Sequence, residues 1–203
     1  MATATQFDTT VRNAVLQAIE DAVGTSPKLR YCTGSPPANC AATQTGTQIV
    51  EMTLPSDWQA APSGGASAKS GTWSGTSSTG GVAGYWRLLS SAGTCRAQNT
   101  ISQAFKLTTS ASTAAGSNVL TFTSASGVVA GQNVYGTGVA TGTTVLSATG
   151  TTVTLSLPST AGVTSSTDIY FGDTSGGMWM PNTTIGTGVV VTCDTFNLIA
   201  MGA

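Results

Sequence analysis

The chain has 203 residues, with 7 Lys+Arg against 8 Asp+Glu and no histidine. Only 7% of its residues are charged, about a third of the usual share, so it lacks the clustered cations that phosphate contacts need. The absence of histidine excludes Ser-His-Asp and Cys-His catalysis and His-liganded zinc. We therefore expect no enzymatic activity, no cofactor, no bound metal and no direct nucleic-acid binding.

The hydropathy of the sequence does not indicate a membrane-spanning segment. No stretch reaches the roughly 18 consecutive apolar residues that span a bilayer, and the first residues lack the basic and apolar regions of a secretion signal. We expect synthesis in the cytoplasm of the producing cell.

The chain contains 37 Thr, 23 Ser and 25 Gly. This composition favours strands and turns over helices, so we predict a mainly β fold.

One helix is predicted, over residues 9–23. An apolar stripe recurs there at helical spacing, comprising Val11, Val15, Ala18, Ile19, Ala22 and Val23. Asp8 or Thr9 can cap its start, and Gly24 and Pro27 end it. We expect this helix to pack on a β-sandwich or barrel-like domain, with Val11, Val15 and Ile19 mainly in the core.

Short apolar runs separated by turn residues follow the helix and predict a sandwich. The candidate strands are 28–33, 47–54, 69–76, 82–89 and 95–105. Residues 77–81 are short and flexible enough to join two of these strands, 69–76 and 82–89, as a hairpin.

A composition shift marks a second module, because no charged residue lies between Leu107 and Thr167. Its candidate strands are 119–123, 132–135, 143–148 and 151–157, and we expect them to pair among themselves. Strands at 168–172 and 188–196 would rejoin the first domain. The predicted organisation is one domain from 1–107 together with 168–203, and an inserted β module at 108–167.

The cysteines and carboxylates offer few chemical groupings. No CxxC pair occurs, and isolated packed thiols are the simplest interpretation. Cys32 and Cys40 lie close enough in sequence to form a local disulfide in an oxidising medium. Scattered carboxylates leave open a glycoside-hydrolase pair formed by Asp57 and Asp173, as a minor alternative.

The large aromatic residues have two interpretations. Such side chains fill sandwich cores or anchor protein interfaces, and they can also form a platform on which sugar rings stack. The residues concerned are Trp58, Trp73, Trp86, Trp179, Tyr85, Tyr135 and Tyr170. Strand edges without Lys would suit an assembly, because Lys ordinarily blocks edge pairing.

Several segments, in this order, give the chain a resemblance to small structural proteins of tailed bacteriophages. They are TTVRNAVLQAIEDAVG (9–24), LRYCTGSPPANCAA (29–42), EMTLPSDW (51–58), KSGTWSGTSSTGGVAGYWRL (69–88), SAGTCRAQNTI (91–101) and MWMPNTTIGTGVVVTCDTF (178–196). Residues 117–156 are similar to a β-rich module of phage surface, fibre and tail proteins.

The resemblance implies a virion component made in the bacterial cytoplasm. Its expected role is a capsid decoration, or cement, protein on the outer capsid surface, binding the major capsid protein and itself, as a homotrimer. The inserted module would project outward. The expected interface anchors are Trp58, Trp73, Tyr85, Trp86 and Trp179. The alternatives are a structural protein of the tail or head-tail junction, and a module that binds host glycans through Tyr135 or Tyr170.

Overall fold

The computed structural model describes residues 6–173 and 176–201. Strands account for 42% of the structure and helix for 8%, which confirms the predicted mainly β class with one N-terminal helix. The elements are α1 (Thr9–Val23), β1 (Lys28–Thr33), β2 (Gln48–Thr53), β3 (Ala66–Ala68), β4 (Ser74–Thr76), β5 (Gly81–Leu89), β6 (Cys95–Thr108), β7 (Val119–Thr121), β8 (Val134–Gly136), β9 (Val145–Thr149), β10 (Thr152–Leu155), β11 (Asp168–Gly172), β12 (Met178–Met180), β13 (Thr184–Ile185), β14 (Val190–Thr192) and β15 (Asn197–Ile199).

The chain forms two compact units, and β6 runs from one into the other. The first unit comprises 1–100 and 184–203, and the second comprises 101–183. The second unit contains the whole of the predicted insertion, 108–167, and extends beyond it at both ends. β11, which the sequence analysis assigned to the first domain, belongs to this second unit.

The first unit is built on an antiparallel sheet in the order β2-β1-β5-β6, with β13 paired to the first residues of β5. Two smaller sheets, β4 with β14 and β3 with β15, complete it. The backbone of β4 lies close to β2, since a Cβ on Gly75 would come 2.6 Å from the carbonyl oxygen of Glu51. Only glycine fits at this crossing, so the sequence itself permits the close approach of the two strands.

The predicted hairpin between 69–76 and 82–89 is wrong. β4 pairs antiparallel with β14, more than a hundred residues later, and not with β5. The connecting residues are bonded elsewhere, because the amide of Ser77 donates to the carbonyl of Val189 and that of Ser78 to Ile49. The short loop therefore carries the chain from one sheet to another.

The core of the first unit contains a chain of aromatic contacts. The ring centroids of Trp58 and Trp73 are 6.1 Å apart, and those of Trp73 and Phe196 are 5.2 Å apart. Trp86 meets Phe196 edge-on at 5.7 Å. Because Phe196 lies near the end of the chain, this cluster packs residues of both sequence segments of the unit into one core.

The second unit contains one sheet of its own, in the order β7-β10-β9. Its other strands continue the large sheet, because the end of β6 pairs with β11, β11 pairs with β8, and β12 lies parallel to β6. The β7-β10-β9 sheet is internal to 108–167, as expected. The pairing of β8 with β11 is not internal to 108–167, because Asp168–Gly172 lies outside that range.

Among the described residues, no helix is long and apolar enough to cross a membrane.

The core of the second unit follows the alternation of apolar and Thr/Ser positions along the strands. Phe171 lies at the centre, with ring centroids 5.8 Å from Phe105 and 5.7 Å from Phe122. The other side chains of this core include Leu120, Val134, Val145, Val153, Leu155, Val163 and Ile169. Most threonines and serines of this unit are exposed or half-buried, and the buried Thr109, Thr143 and Ser159 donate hydrogen bonds to backbone carbonyl oxygens. The residues between Leu107 and Thr167 thus form strands without any charged side chain.

Candidate binding surfaces

Four of the five expected interface anchors lie in the core of the first unit. Trp58, Trp73 and Tyr85 are at most 1% exposed and Trp86 is 7% exposed, so their side chains are out of reach of a partner chain in this structure. Trp179 differs, since 41% of its surface is exposed. The aromatic residues of the first unit therefore stabilise its fold, and only Trp179 of the expected set is available for contact.

The helix buries a different face from the one expected. Val11, Val15 and Ile19 are 39–48% exposed, whereas Leu16 and Val23 are buried. The inward face also carries polar anchors, because the side-chain oxygen of Asn13 accepts a hydrogen bond of 2.9 Å from the amide of Gly65. The prediction that Val11, Val15 and Ile19 are core residues is wrong, because contacts with the turn before β3 decide which face is buried.

These exposed residues belong to an apolar strip, here called the α1 stripe. It consists of Phe7, just before the N-cap residue Asp8, and the helix residues Val11, Ala14, Val15, Ala18, Ile19 and Ala22, all of them exposed. At 100° per residue the helix positions fall on one side of α1, and the buried Val23 and Leu16 lie beyond Ile19 at one edge of this side. No charged side chain belongs to the stripe, and such unpartnered apolar surface commonly marks a protein contact.

A second exposed surface lies on the sheet of the second unit. Tyr135 of β8 lies opposite Tyr170 of β11 in the strand register, so the two rings occupy neighbouring strands on one face. Trp179 meets Tyr170 edge-on, with 5.6 Å between ring centroids. These three residues are named the aromatic row, and Tyr135 and Trp179 are 39% and 41% exposed.

Charged and hydroxyl groups border the aromatic row. The ammonium group of Lys106, opposite Tyr170 in the register, bonds the carboxylate of Asp168 at 2.8 Å, and the hydroxyl of Thr108 donates to the same carboxylate at 2.8 Å. Hydrogen bonds from Lys106 and Thr108 lower the pKa of Asp168, so this group stays an acceptor in mildly acidic solution. The surface thus combines apolar ring faces with fixed hydrogen-bonding groups.

An open acidic cleft lies at the end of α1. It is lined by Gln17, Glu20, Asp21, Gly24, Thr25, Ser56, Asp57, Gln59 and Ala61. Desolvation, with the nearby charge of Asp57, raises the pKa of Glu20. Asp57 belongs to this cleft in the first unit, whereas Asp173 belongs to the second unit. Among the described residues, no group of three or more acidic or Cys side chains is arranged to hold a metal ion.

The structure contains no disulfide between Cys32 and Cys40, because all four cysteines are free thiols. Cys32 and Cys193 are buried, whereas Cys40 and Cys95 are partly exposed. Burial raises the pKa of the Cys32 thiol. A Cys32–Cys40 disulfide in an oxidising medium stays a prediction.

The sequence did not predict the strand that carries Trp179. Trp179 was grouped with the other tryptophans, because β12, Met178–Met180, is too short to give a recognisable alternating pattern.

No family model, no curated protein and no solved structure matches this chain.

Proposed function

We propose that this chain is a structural component of a tailed-phage virion, a capsid decoration protein that binds between subunits of the major capsid protein. The observation that carries the proposal is the α1 stripe, a helix face that is apolar, uncharged and exposed in the isolated chain. The resemblance of 9–24, 29–42 and 69–88 to phage structural proteins supplies the class of assembly. A contact of this kind needs no catalytic group.

The physical role follows from the surface. Covering the stripe removes apolar area from water at about 25 cal/mol per Å², and each copy adds contacts between shell subunits that already touch. The net charge of −1 leaves little long-range repulsion between copies packed close together. Many modest contacts of this kind stabilise a shell against internal pressure, and a homotrimer would multiply them by presenting several stripes at once.

The experiment that tests the location is a copy count in purified particles of the phage that encodes the chain. Quantitative mass spectrometry should find it in a fixed ratio to the major capsid protein, with hundreds of copies per particle. About six or twelve copies would instead support a tail or head-tail junction protein, since those structures are rings of that symmetry. Its absence from purified particles would contradict the whole proposal.

The contact surface is tested by a charge placed in the α1 stripe. Val15→Asp should reduce incorporation into particles at least tenfold, because a carboxylate buried in an apolar contact loses its hydration. Thr10→Asp is the matched control, since it adds the same charge at an exposed helix position outside the stripe. Both variants should keep the circular dichroism of the parent chain. Normal incorporation of Val15→Asp would exclude the stripe as the contact.

The aromatic row supports a second candidate function, recognition of host-surface glycans. The apolar faces of sugar rings stack on exposed aromatic rings, and their hydroxyls bond to fixed charged groups such as Lys106 and Asp168. Binding of the full chain to a glycan array, lost in Tyr170→Ala and Trp179→Ala but kept in the exposed control Val129→Ala, would support it. A blank array would remove this candidate and leave the assembly proposal unaffected.

A further inference from the structure

The aromatic row presents two ring planes nearly at right angles. The indole of Trp179 and the phenol of Tyr170 are inclined by 83°, with their centroids 5.6 Å apart. Tyr135 lies on the other side of Tyr170, because β8 pairs with the edge of β11 that faces away from β6 and β12. Rings placed in this way form an open corner, in which a small flat molecule can pack on one ring face and meet the edge of the other ring.

The sheet leaves room for this corner because the next positions on the same face are small. Gly172 follows Tyr170 by two residues in β11 and lies opposite Ala104 of β6. Gly172 has φ +111°, and a Cβ built on it would come 2.3 Å from the carbonyl oxygen of Gln103, so only glycine fits there. No long side chain therefore stands beside Tyr170 at this position, and Trp179 can reach the Tyr170 ring.

Fixed polar groups border the corner on the far side of Tyr170. Asp168 precedes Tyr170 by two residues in β11, and Lys106 lies directly opposite Tyr170, so the three side chains share one face. Nζ of Lys106 lies 2.8 Å from Oδ2 of Asp168, and the hydroxyl of Thr108 donates to Oδ1 at 2.8 Å. The side chains of Lys106 and Asp168 are 46% and 42% exposed, so further hydrogen-bond partners can reach both.

The charges of the second unit select against an acidic ligand. Residues 101–183 contain one cation, Lys106, and two carboxylates, Asp168 and Asp173. The cation is already paired with Asp168. Carboxylate, sulfate and phosphate groups are normally bound by Arg or Lys, and the sequence of this unit holds no second cation to supply. An uncharged ligand needs no such partner.

We propose that the aromatic row binds uncharged pyranose sugars and rejects acidic ones. The apolar face of the sugar packs in the corner formed by Trp179 and Tyr170, and its hydroxyl groups bond to Lys106 and Asp168. A hydroxyl suits both partners, because it can donate to the carboxylate and accept from the ammonium group. An acidic substituent can only accept, so beside Asp168 it meets repulsion. The inference rests on the second candidate function, glycan recognition, and defines the class of glycan.

The class of sugar is tested on a glycan array that carries neutral oligosaccharides beside sialylated, uronate-containing and sulfated ones. The full chain should bind neutral glycans, equally at low and high salt, because no net charge takes part in the contact. Binding confined to acidic glycans would overturn this inference and leave glycan recognition standing. A blank array would remove glycan recognition and this inference together.

Tryptophan fluorescence shows whether the sugar occupies the corner. The other three tryptophans are at most 7% exposed, so collisional quenching by iodide reports chiefly on Trp179. The neutral glycan that binds most strongly on the array should reduce this quenching about twofold, because it covers the ring. Unchanged quenching at a saturating concentration of that glycan would show that the sugar binds elsewhere, and the proposal would be wrong.

A variant of the ion pair tests the rejection of acidic sugars. Asp168→Asn keeps an acceptor but leaves Lys106 without its counter-charge, so binding of a uronate-containing glycan should rise about threefold relative to the neutral one. Asp21→Asn is the matched control, since it removes the same charge from an exposed position of the first unit and should leave both affinities unchanged. Circular dichroism of both variants should match the parent chain. No rise in Asp168→Asn would exclude the ion pair as the selective element and overturn the proposal.

Discussion

Two neighbouring residues of β5 are buried on opposite faces of the sheet. Tyr85 and Trp86 are adjacent in β5 and therefore point to opposite faces of the sheet, yet both are buried. Tyr85 is covered by the loop that carries Thr45, and Trp86 packs against Phe196. An interface role for either side chain would require exposed surface, and packing on both faces of β5 removes it.

The aromatic core supports a prediction about single residues. Trp73→Ala should lower the free energy of unfolding by about 3–5 kcal/mol, because it deletes contacts with both Trp58 and Phe196 and leaves a cavity. Urea unfolding followed by circular dichroism measures the change. The control is Trp179→Ala, which should cost less than about 1 kcal/mol since Trp179 is 41% exposed. Equal losses in the two variants would contradict this description of the core.

The elements differ in how far local sequence controls them. The structure confirms the bounds of α1, where Asp8 accepts a 2.8 Å hydrogen bond from the amide of Val11 and Gly24 adopts φ +85° at the end. Its buried face was wrongly predicted, because helical periodicity identifies an apolar side without saying what covers it. The predicted pairing of β4 was wrong for a related reason, since its partner β14 is remote in sequence.

The cap of α1 gives a prediction at this scale. Asp8→Ala should destabilise the helix by about 1 kcal/mol, because the amide of Val11 loses its acceptor. Asp8→Asn should retain most of the stability, since an Asn side chain also caps well. Hydrogen exchange of the first-turn amides, measured for both variants, distinguishes them. Faster exchange in the Asn variant than in the Ala variant would show that the cap has another physical basis.

Across the whole molecule, ionisable groups are few, and several are buried in their neutral form. Desolvation is the largest cause of the raised pKa values of five groups. They are Tyr31, Cys32, Cys40, Tyr85 and Cys193. Glu51 is the contrast. Burial tends to raise its pKa, but the hydrogen bonds and charge of Arg30, with help from Lys28, bring it below the usual value.

These raised values predict a loss of stability in alkali. Above about pH 9 the unfolded chain releases protons from thiols and phenols that the folded chain still holds, so the free energy of unfolding falls as pH rises. The contribution is complete below the unfolded pKa values and is lost as pH rises through the folded ones. Urea midpoints measured with a reductant present should therefore be lower at pH 10.5 than at pH 7.5.

The control for this alkaline effect is recovery of the original midpoint after return to pH 7.5, which excludes chemical damage. A midpoint that stayed constant or rose across this range would contradict the burial of these groups in neutral form.

The sequence by itself determined the mainly β class, the bounds of α1 and most strand positions, because composition, periodicity and turn residues act over a few neighbouring positions. Only the tertiary structure decided that β4 pairs with β14 and that the α1 stripe is exposed. Each of these depends on residues far apart in the chain, and their contact is fixed by packing and hydrogen bonding that no local pattern encodes.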